Sequence, residues 1–307
     1  MKRHRYYYAI VPLIALLWGL NWPAVKIALG EIRPWTLRAS GMTLGGLCLV
    51  VVAALRGQSI AVKRSQWLAL GAGGFLSIAA FNILLAFAQL SAPTSRAAII
   101  TFTMPVWTVL FARILLKESL DGRRRLGLVL GIAGLVALGW PIIRAGDISV
   151  GLLYALMAGI CWALGTVVSK RFPVDAPPLS VAAWQLLTGA ACAAAGMLAF
   201  ERVEFPYELK PATITAFLYH VLFAQALAYV LWFAALSRLP AGTASLGTLM
   251  VPAIGVAGAV LLLGEKPTLF DLAGLVLLMG AAFAAIVSAG VPKLHSRRTA
   301  TAGSVKG

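Results

Sequence analysis

The sequence predicts an all-α polytopic membrane protein: ten transmembrane helices arranged as two inverted five-helix repeats. Three observations carry this. Of 307 residues, 61% are hydrophobic and 12% charged, and the mean hydropathy is +0.90, far more apolar than a soluble domain. Lys and Arg divide unevenly between alternate interhelical segments. A register of identical residues recurs at an offset of 147 along the chain.

A spanning helix needs about 20 apolar residues to cross a hydrocarbon core roughly 30 Å thick. Runs of that kind occupy 7–29, 36–55, 67–90, 95–116, 124–143, 148–171, 179–200, 213–237, 243–263 and 268–289. The first follows the basic start MKRHR and continues past Gly19 without a small-residue cleavage pattern, so it reads as an uncleaved span. After the last span, residues 291–307 are polar, basic and rich in small side chains, the composition of a disordered cytoplasmic tail.

Orientation follows from the basic residues. The segments on the N-terminal side hold 17 Lys and Arg, at 2–5, 56–64, 117–125, 170–171, 238 and 293–306. The other side holds 7, Arg33, Arg38, Arg96, Arg144, Arg202, Lys210 and Lys266, with Lys26 and Arg113 inside spans. The positive-inside rule then puts both termini in the cytoplasm and requires an even number of spans, which predicts a multi-pass protein of the cell inner membrane.

The repeat is visible when PTSRAAIITFTMP from Pro93 is laid over PAGTASLGTLMVP from Pro240. Pro93, Ala97, Thr101 and Pro105 meet Pro240, Ala244, Thr248 and Pro252, and the offset continues to Glu118 with Glu265 and Gly127 with Gly274. Earlier in each half the offset is 144, pairing Trp18 with Trp162 and Lys26 with Lys170. The repeats are delimited as 1–144 and 147–290. Five spans per copy is an odd number, so the second copy enters the membrane from the opposite side. Inverted repeats are an architecture of alternating-access transporters, whose substrate site lies near the midplane between halves.

A proline before the fourth span, a mid-span proline, and LLKE or LLGE followed by a glycine-bearing span, in both halves, resemble the EamA family of the drug/metabolite transporter superfamily. The resemblance runs from about Ile10 to Ala289. It implies ten helices, cytoplasmic termini, a cavity lined by helices 1–4 and 6–9, and peripheral helices 5 and 10. Within the family the chain looks most like the YddG-like branch of amino-acid exporters with aromatic substrates.

Candidate pathway residues come from polar and aromatic groups at membrane depth. Helix 1 carries Trp18, Asn21, Trp22 and Val25 on one stripe, helix 8 carries Gln225, Tyr229 and Trp232, and helix 3 carries Asn82 and Gln89 beside Phe81. Indoles stack on an apolar substrate, while amides donate and accept together and so suit a zwitterionic or hydroxylated one. The bland alternative is interhelical packing with each polar atom satisfied by a neighbour. Trp107 and Trp162 are also mid-span, whereas Trp35, Trp67, Trp140 and Trp184 fit the interfacial aromatic belt. The substrate-facing set is therefore Trp18, Asn21, Trp22, Asn82, Trp107, Trp162, Gln225 and Tyr229, and alanine at Trp18 or Trp162 is expected to lower transport at normal abundance. Pro105 and Pro252 are expected to kink the fourth and ninth spans as gating points or as static shaping. Glu118 and Glu265, beside Lys117 and Lys266, read as interfacial anchors, and Gly41/Gly45 and Gly127/Gly131 as close helix contacts.

The net charge of +16 flanks apolar runs, which favours anionic lipid over nucleic acid as partner. Cys48, Cys161 and Cys192 show no disulfide or zinc pattern, and no metal or cofactor is expected. His220 is the one histidine within a span and has no Asp, Glu or Cys in that span, which argues against an enzyme. The expected function is export of small metabolites, amino acids with aromatic ones favoured, by a monomeric facilitator without obligatory proton coupling. The alternatives are a nucleotide-sugar or drug carrier of the same superfamily, or a receptor or structural protein. A nucleotide sugar would want several midplane cations, and only Lys26 and Arg113, near span ends, are apparent.

Overall fold

The computed structural model describes residues 2–92, 94–145, 149–201, 208–263 and 269–289. The predicted 291–307 tail lies outside them. Among the described residues all regular structure is helical. The helices are α1 (Lys2–Ala28), α2 (Pro34–Leu55), α3 (Trp67–Gly74, Phe75–Ala80 and Phe81–Ser91), α4 (Thr94–Thr101 and Met104–Leu115) and α5 (Gly122–Ala145). The second repeat supplies α6 (Val150–Arg171), α7 (Pro178–Phe200), α8 (Pro211–Tyr219, His220–Leu227 and Ala228–Arg238), α9 (Ala241–Gly247 and Met250–Leu263) and α10 (Leu269–Ala289). Seven are long and apolar enough to cross a membrane over their described residues, and α5, α9 and α10 contribute shorter apolar stretches. Below, the near face is the one on which α1 begins, and the far face is the one on which it ends.

Local chemistry sets the boundaries. Pro34, Pro178 and Pro211 open α2, α7 and α8, where a missing N–H costs nothing. Gly57, at φ +60°, closes α2, with Gly57 N donating to Ala54 O (3.0 Å) and Gln58 N to Ala53 O (2.9 Å).

Four helices are irregular, and they match in pairs. The middle segments of α3 and α8 are π-helical, and the register of 147 lays Phe75–Ala80 onto 222–227. Helices α4 and α9 are broken at 102–103 and 248–249. Proline was expected to kink continuous helices here. Instead each helix stops and restarts, with Pro105 second in its new segment and both Val106 N and Trp107 N turning back to Thr103 O. A proline at that place needs no hydrogen bond, so a restart relieves the clash that a kink would only spread.

Small residues let the repeats interlock. A Cβ added at Gly41 would stand 2.9 Å from the His220 ring, and one at Gly45 2.9 Å from Gln225 Cβ, so the Gly41/Gly45 face of α2 lies directly on the π segment of α8. Gly165 on α6 meets the Ser77 backbone nitrogen on α3 in the same way, at 2.6 Å. At the periphery α5 and α10 cross where Gly134 and Gly274 face each other's carbonyl oxygens.

The inverted symmetry reaches the surface. Lys63 pairs with Asp175 at 2.6 Å on the near face, and Lys210 pairs with Glu31 at 3.1 Å on the far face. Lys63 and Lys210 are related by 147, Glu31 and Asp175 by 144. Hydrogen bonds from Thr213 and the Lys210 backbone hold the Glu31 carboxyl below its ordinary value, and the bond from Lys63 does the same for Asp175.

Two further expectations are corrected. Glu118 is no interfacial anchor: its carboxylate accepts Ala241 N (2.8 Å) and Gly242 N (3.3 Å) at the start of α9, tying the first repeat to the second across the near face. Its sequence mate Glu265 lies outside the described residues. Arg38, counted among exterior basic residues, is 2% exposed and sits in the second turn of α2, because Pro34 starts that helix before the apolar run begins.

Candidate functional site

Helices α1, α2, α3, α4, α6, α8 and α9 enclose a cavity of about 60 Å³ that extends from the centre of the bundle toward the far face. Its walls include Trp18, Asn21 and Trp22 of α1, Asn82 of α3, Trp162 of α6, and Gln225 and Tyr229 of α8. Seven of the eight sequence-derived candidates are thus brought together. Trp107 is not among them: it lies in an apolar groove between α4 and α5, its Nε1 bonded to Thr103 Oγ1 (3.2 Å) and its ring stacked on Phe111. Thr101 and Phe102, which do line the cavity, stand six and five residues before Trp107, spacings that put them on a different helix face, and the face that carries Trp107 is packed against α5.

One wall is aromatic. Trp18 lies edge-on to Trp162 (6.4 Å between ring centroids) and Tyr229 (5.5 Å), and Trp162 tilts against Trp232 at 4.7 Å. Trp22 meets Phe102 at 5.7 Å. Trp18 and Trp162 are related by 144, so the two repeats meet ring to ring at the pseudo-axis. Trp162 (2% exposed) is buried in this cluster, whereas Trp18 and Trp22 are half-buried.

The other wall is polar. Asn82 and Tyr229 are related by 147 and touch across the same axis, Asn82 Nδ2 donating to the Tyr229 hydroxyl (3.4 Å) and to Ile78 O (2.9 Å). Arg38 donates through Nη1 to Asn82 Oδ1 (3.2 Å) and through Nη2 to Gln89 Oε1 (3.5 Å). Asn21 Oδ1 contacts His220 Nδ1 at 2.8 Å, and Gln225 Nε2 contacts His220 Nε2 at 3.2 Å. An amide oxygen only accepts, so Nδ1 carries the proton, Nε2 accepts, and Gln225 must donate. That relay holds the Gln225 amide in one orientation.

Arg38 is the residue that a search for mid-span aromatics and amides missed. The signal was available: with Pro34 marking the helix start, Arg38, Gly41 and Gly45 stand at i, i+3 and i+7, so the arginine shares the face that packs closest on α8. The cavity is closed on the near side. There Glu118 binds α9, and Lys170 Nζ donates to Leu236 O while feeling the Glu118 carboxylate. Lys26, the sequence mate of Lys170, is exposed on the far side. At about 60 Å³ the cavity is narrower than the several-hundred-Å³ pockets that enclose small molecules, so side chains must swing to admit one. Among the described residues no cluster of His, Cys, Asp and Glu could hold a metal ion.

Two stretches, residues 6–140 and 149–287, match the EamA-like transporter family. The chain belongs to that family. Similar proteins include the uncharacterized transporter YvbV of Bacillus subtilis, 29% identical over 271 residues and covering 88% of each chain. A probable amino-acid metabolite efflux pump of Salmonella typhimurium is 27% identical over 276 residues, covering 87% of this chain and 90% of the relative. Its Escherichia coli namesake is 24% identical over 276 residues, with the same coverage. A crystal structure covering 92% of this chain and 97% of its own superposes with a TM-score of 0.77 at 24% identity, a likeness of fold. In this EamA-like protein all the helices that the resemblance assigned to the cavity contribute to it except α7, and α5 and α10 stand outside it.

Proposed function

We propose that this EamA-like transporter carries small metabolites out of the cell by alternating access, with amino acids, aromatic ones favoured, as its substrates. The observation that carries the reading is the cavity itself, in which an aromatic wall and an amide wall, each built from both repeats, meet at the pseudo-axis. Rings suit an apolar side chain, and amides suit the polar end of the same molecule. Two relatives named as probable amino-acid metabolite efflux pumps support the substrate class. The protein works as a monomer in the inner membrane with both termini cytoplasmic, and it performs transport without catalysis.

We place its energetics with facilitators. The cavity lining includes no Asp, Glu or His, and His220 behind it is engaged on both ring nitrogens by neutral amides. A proton-coupled carrier needs a group that changes charge with occupancy. Proteoliposomes loaded on one side with L-phenylalanine should equilibrate it without a pH gradient, and an imposed gradient should not drive accumulation. Uphill accumulation that His220→Ala abolishes would overturn facilitation. Failure to move any of a panel of amino acids, sugars and cationic drugs would overturn transport itself.

A further inference from the structure

Two buried polar atoms of opposite character are left without partners around this cavity. Arg38 Nε is buried with no hydrogen-bond acceptor, and Gln225 Oε1 is buried with no donor. Both residues line the cavity, 2% exposed each. Such atoms are costly: an unpaired buried donor or acceptor forfeits its hydration without replacement, and an uncompensated buried guanidinium forfeits more.

The surroundings sharpen the point. Arg38 has five N–H donors, and its two bonds go to neutral amide oxygens, Asn82 Oδ1 at 3.2 Å and Gln89 Oε1 at 3.5 Å. Among the described residues no carboxylate pairs with it. The repeat offers no reason for a cation here, since its mate at the offset of 144 is Ala182. At Gln225 the orientation is dictated from behind, because its NH₂ is committed to His220 and so its carbonyl oxygen is the atom left over. The result is a cationic donor and a neutral acceptor, both unsatisfied, beside an aromatic wall.

We infer that Arg38 binds the carboxylate, and Gln225 Oε1 the ammonium, of an α-amino acid whose side chain rests on the Trp18–Trp162 wall. The inference rests on the transport reading for its physiological use but concerns recognition. A carboxylate answers the guanidinium fork with charge-assisted bonds, which a neutral hydroxyl or a cationic drug does not do. The ammonium supplies the N–H that Gln225 lacks, so the site prefers the zwitterion both to a simple carboxylic acid and to a simple amine.

The test is equilibrium binding to the purified full-length protein with L-phenylalanine, 3-phenylpropionate (no ammonium) and phenethylamine (no carboxylate). Wild type should bind L-phenylalanine best and phenethylamine at least about 10-fold more weakly, the scale of a lost charge-assisted bond. Arg38→Gln should reduce L-phenylalanine binding to the phenethylamine level without weakening phenethylamine, whose ammonium the guanidinium only repels. Gln225→Met should weaken L-phenylalanine but not 3-phenylpropionate. Equal binding of L-phenylalanine and phenethylamine by wild type, or equal losses for both in Arg38→Gln, would overturn the assignment. So would no binding of either carboxylate-bearing probe. The analogue series on wild type decides the matter even if the Arg38 variant does not fold. Carboxylate-dependent binding without flux in proteoliposomes would leave the recognition standing and remove the transport reading. Flux of phenethylamine as fast as that of L-phenylalanine would do the reverse.

Discussion

Glu118→Gln should loosen the near face, and the structure sets how much. The carboxylate accepts two backbone N–H groups of α9, at 2.8 and 3.3 Å, within the field of Lys170. Glutamine keeps one acceptor oxygen and loses both the charge and the second acceptor. Bonds to a charged group are worth about 1.5–3 kcal/mol and neutral ones about 0.5–1.5; with the longer bond, at 3.3 Å, counted only in part, the closed near face should lose about 1–3 kcal/mol. If opening that face breaks these bonds, its open population rises about 5- to 150-fold. Thr166 is a suitable reporter: it is 1% exposed, its Oγ1 is unpartnered, and it is the 144-offset mate of cavity-lining Trp22. With Cys48, Cys161 and Cys192 replaced by alanine, Thr166→Cys should react slowly with a maleimide supplied from the near face, and faster by that same factor when Glu118→Gln is added. An unchanged labelling rate, in a variant that elutes and melts like its parent, would refute a gating role for Glu118.

Gly165→Ala should lower thermal stability in detergent by about 1–3 kcal/mol, because its Cβ would stand 2.6 Å from the Ser77 backbone nitrogen, where neither helix can yield; a wild-type melting temperature would show that α3 and α6 are not packed this closely. Trp162→Ala should cost about 3–5 kcal/mol and lower abundance as well as transport, contrary to the sequence expectation, since Trp162 is 2% exposed against Trp18 and Trp232. Half-buried Trp18 should tolerate alanine better, so loss of transport at near-normal abundance is expected there, and normal transport would remove Trp18 from the pathway. Reporter fusions at positions 120, 174 and 300 should read cytoplasmic and one at 207 periplasmic; a cytoplasmic signal at 207 would break the orientation.

The sequence by itself determined the helices and their repeat. Apolar runs of bilayer length, prolines at helix starts and the offsets of 147 and 144 placed the spans within a few residues of the helices seen among the described residues, because a chain in hydrocarbon must satisfy its backbone within each helix. It also singled out seven residues that line one cavity, since indoles and amides at mid-span are conspicuous by position alone. What it could not decide was which groups face each other across helices. Arg38 reads as a flanking charge until the Gly41/Gly45 face of α2 is pressed onto α8. Trp107 reads as a cavity residue like Trp18 until α5 is packed against its face, with Ile132, Leu135 and Val136 beside it. Glu118 reads as an interfacial charge until the second repeat brings the amides of Ala241 and Gly242 within its reach, 123 and 124 residues along the chain. Each of these depends on a contact between segments distant in sequence, and helical periodicity reports a residue's own face without reporting what is packed against it.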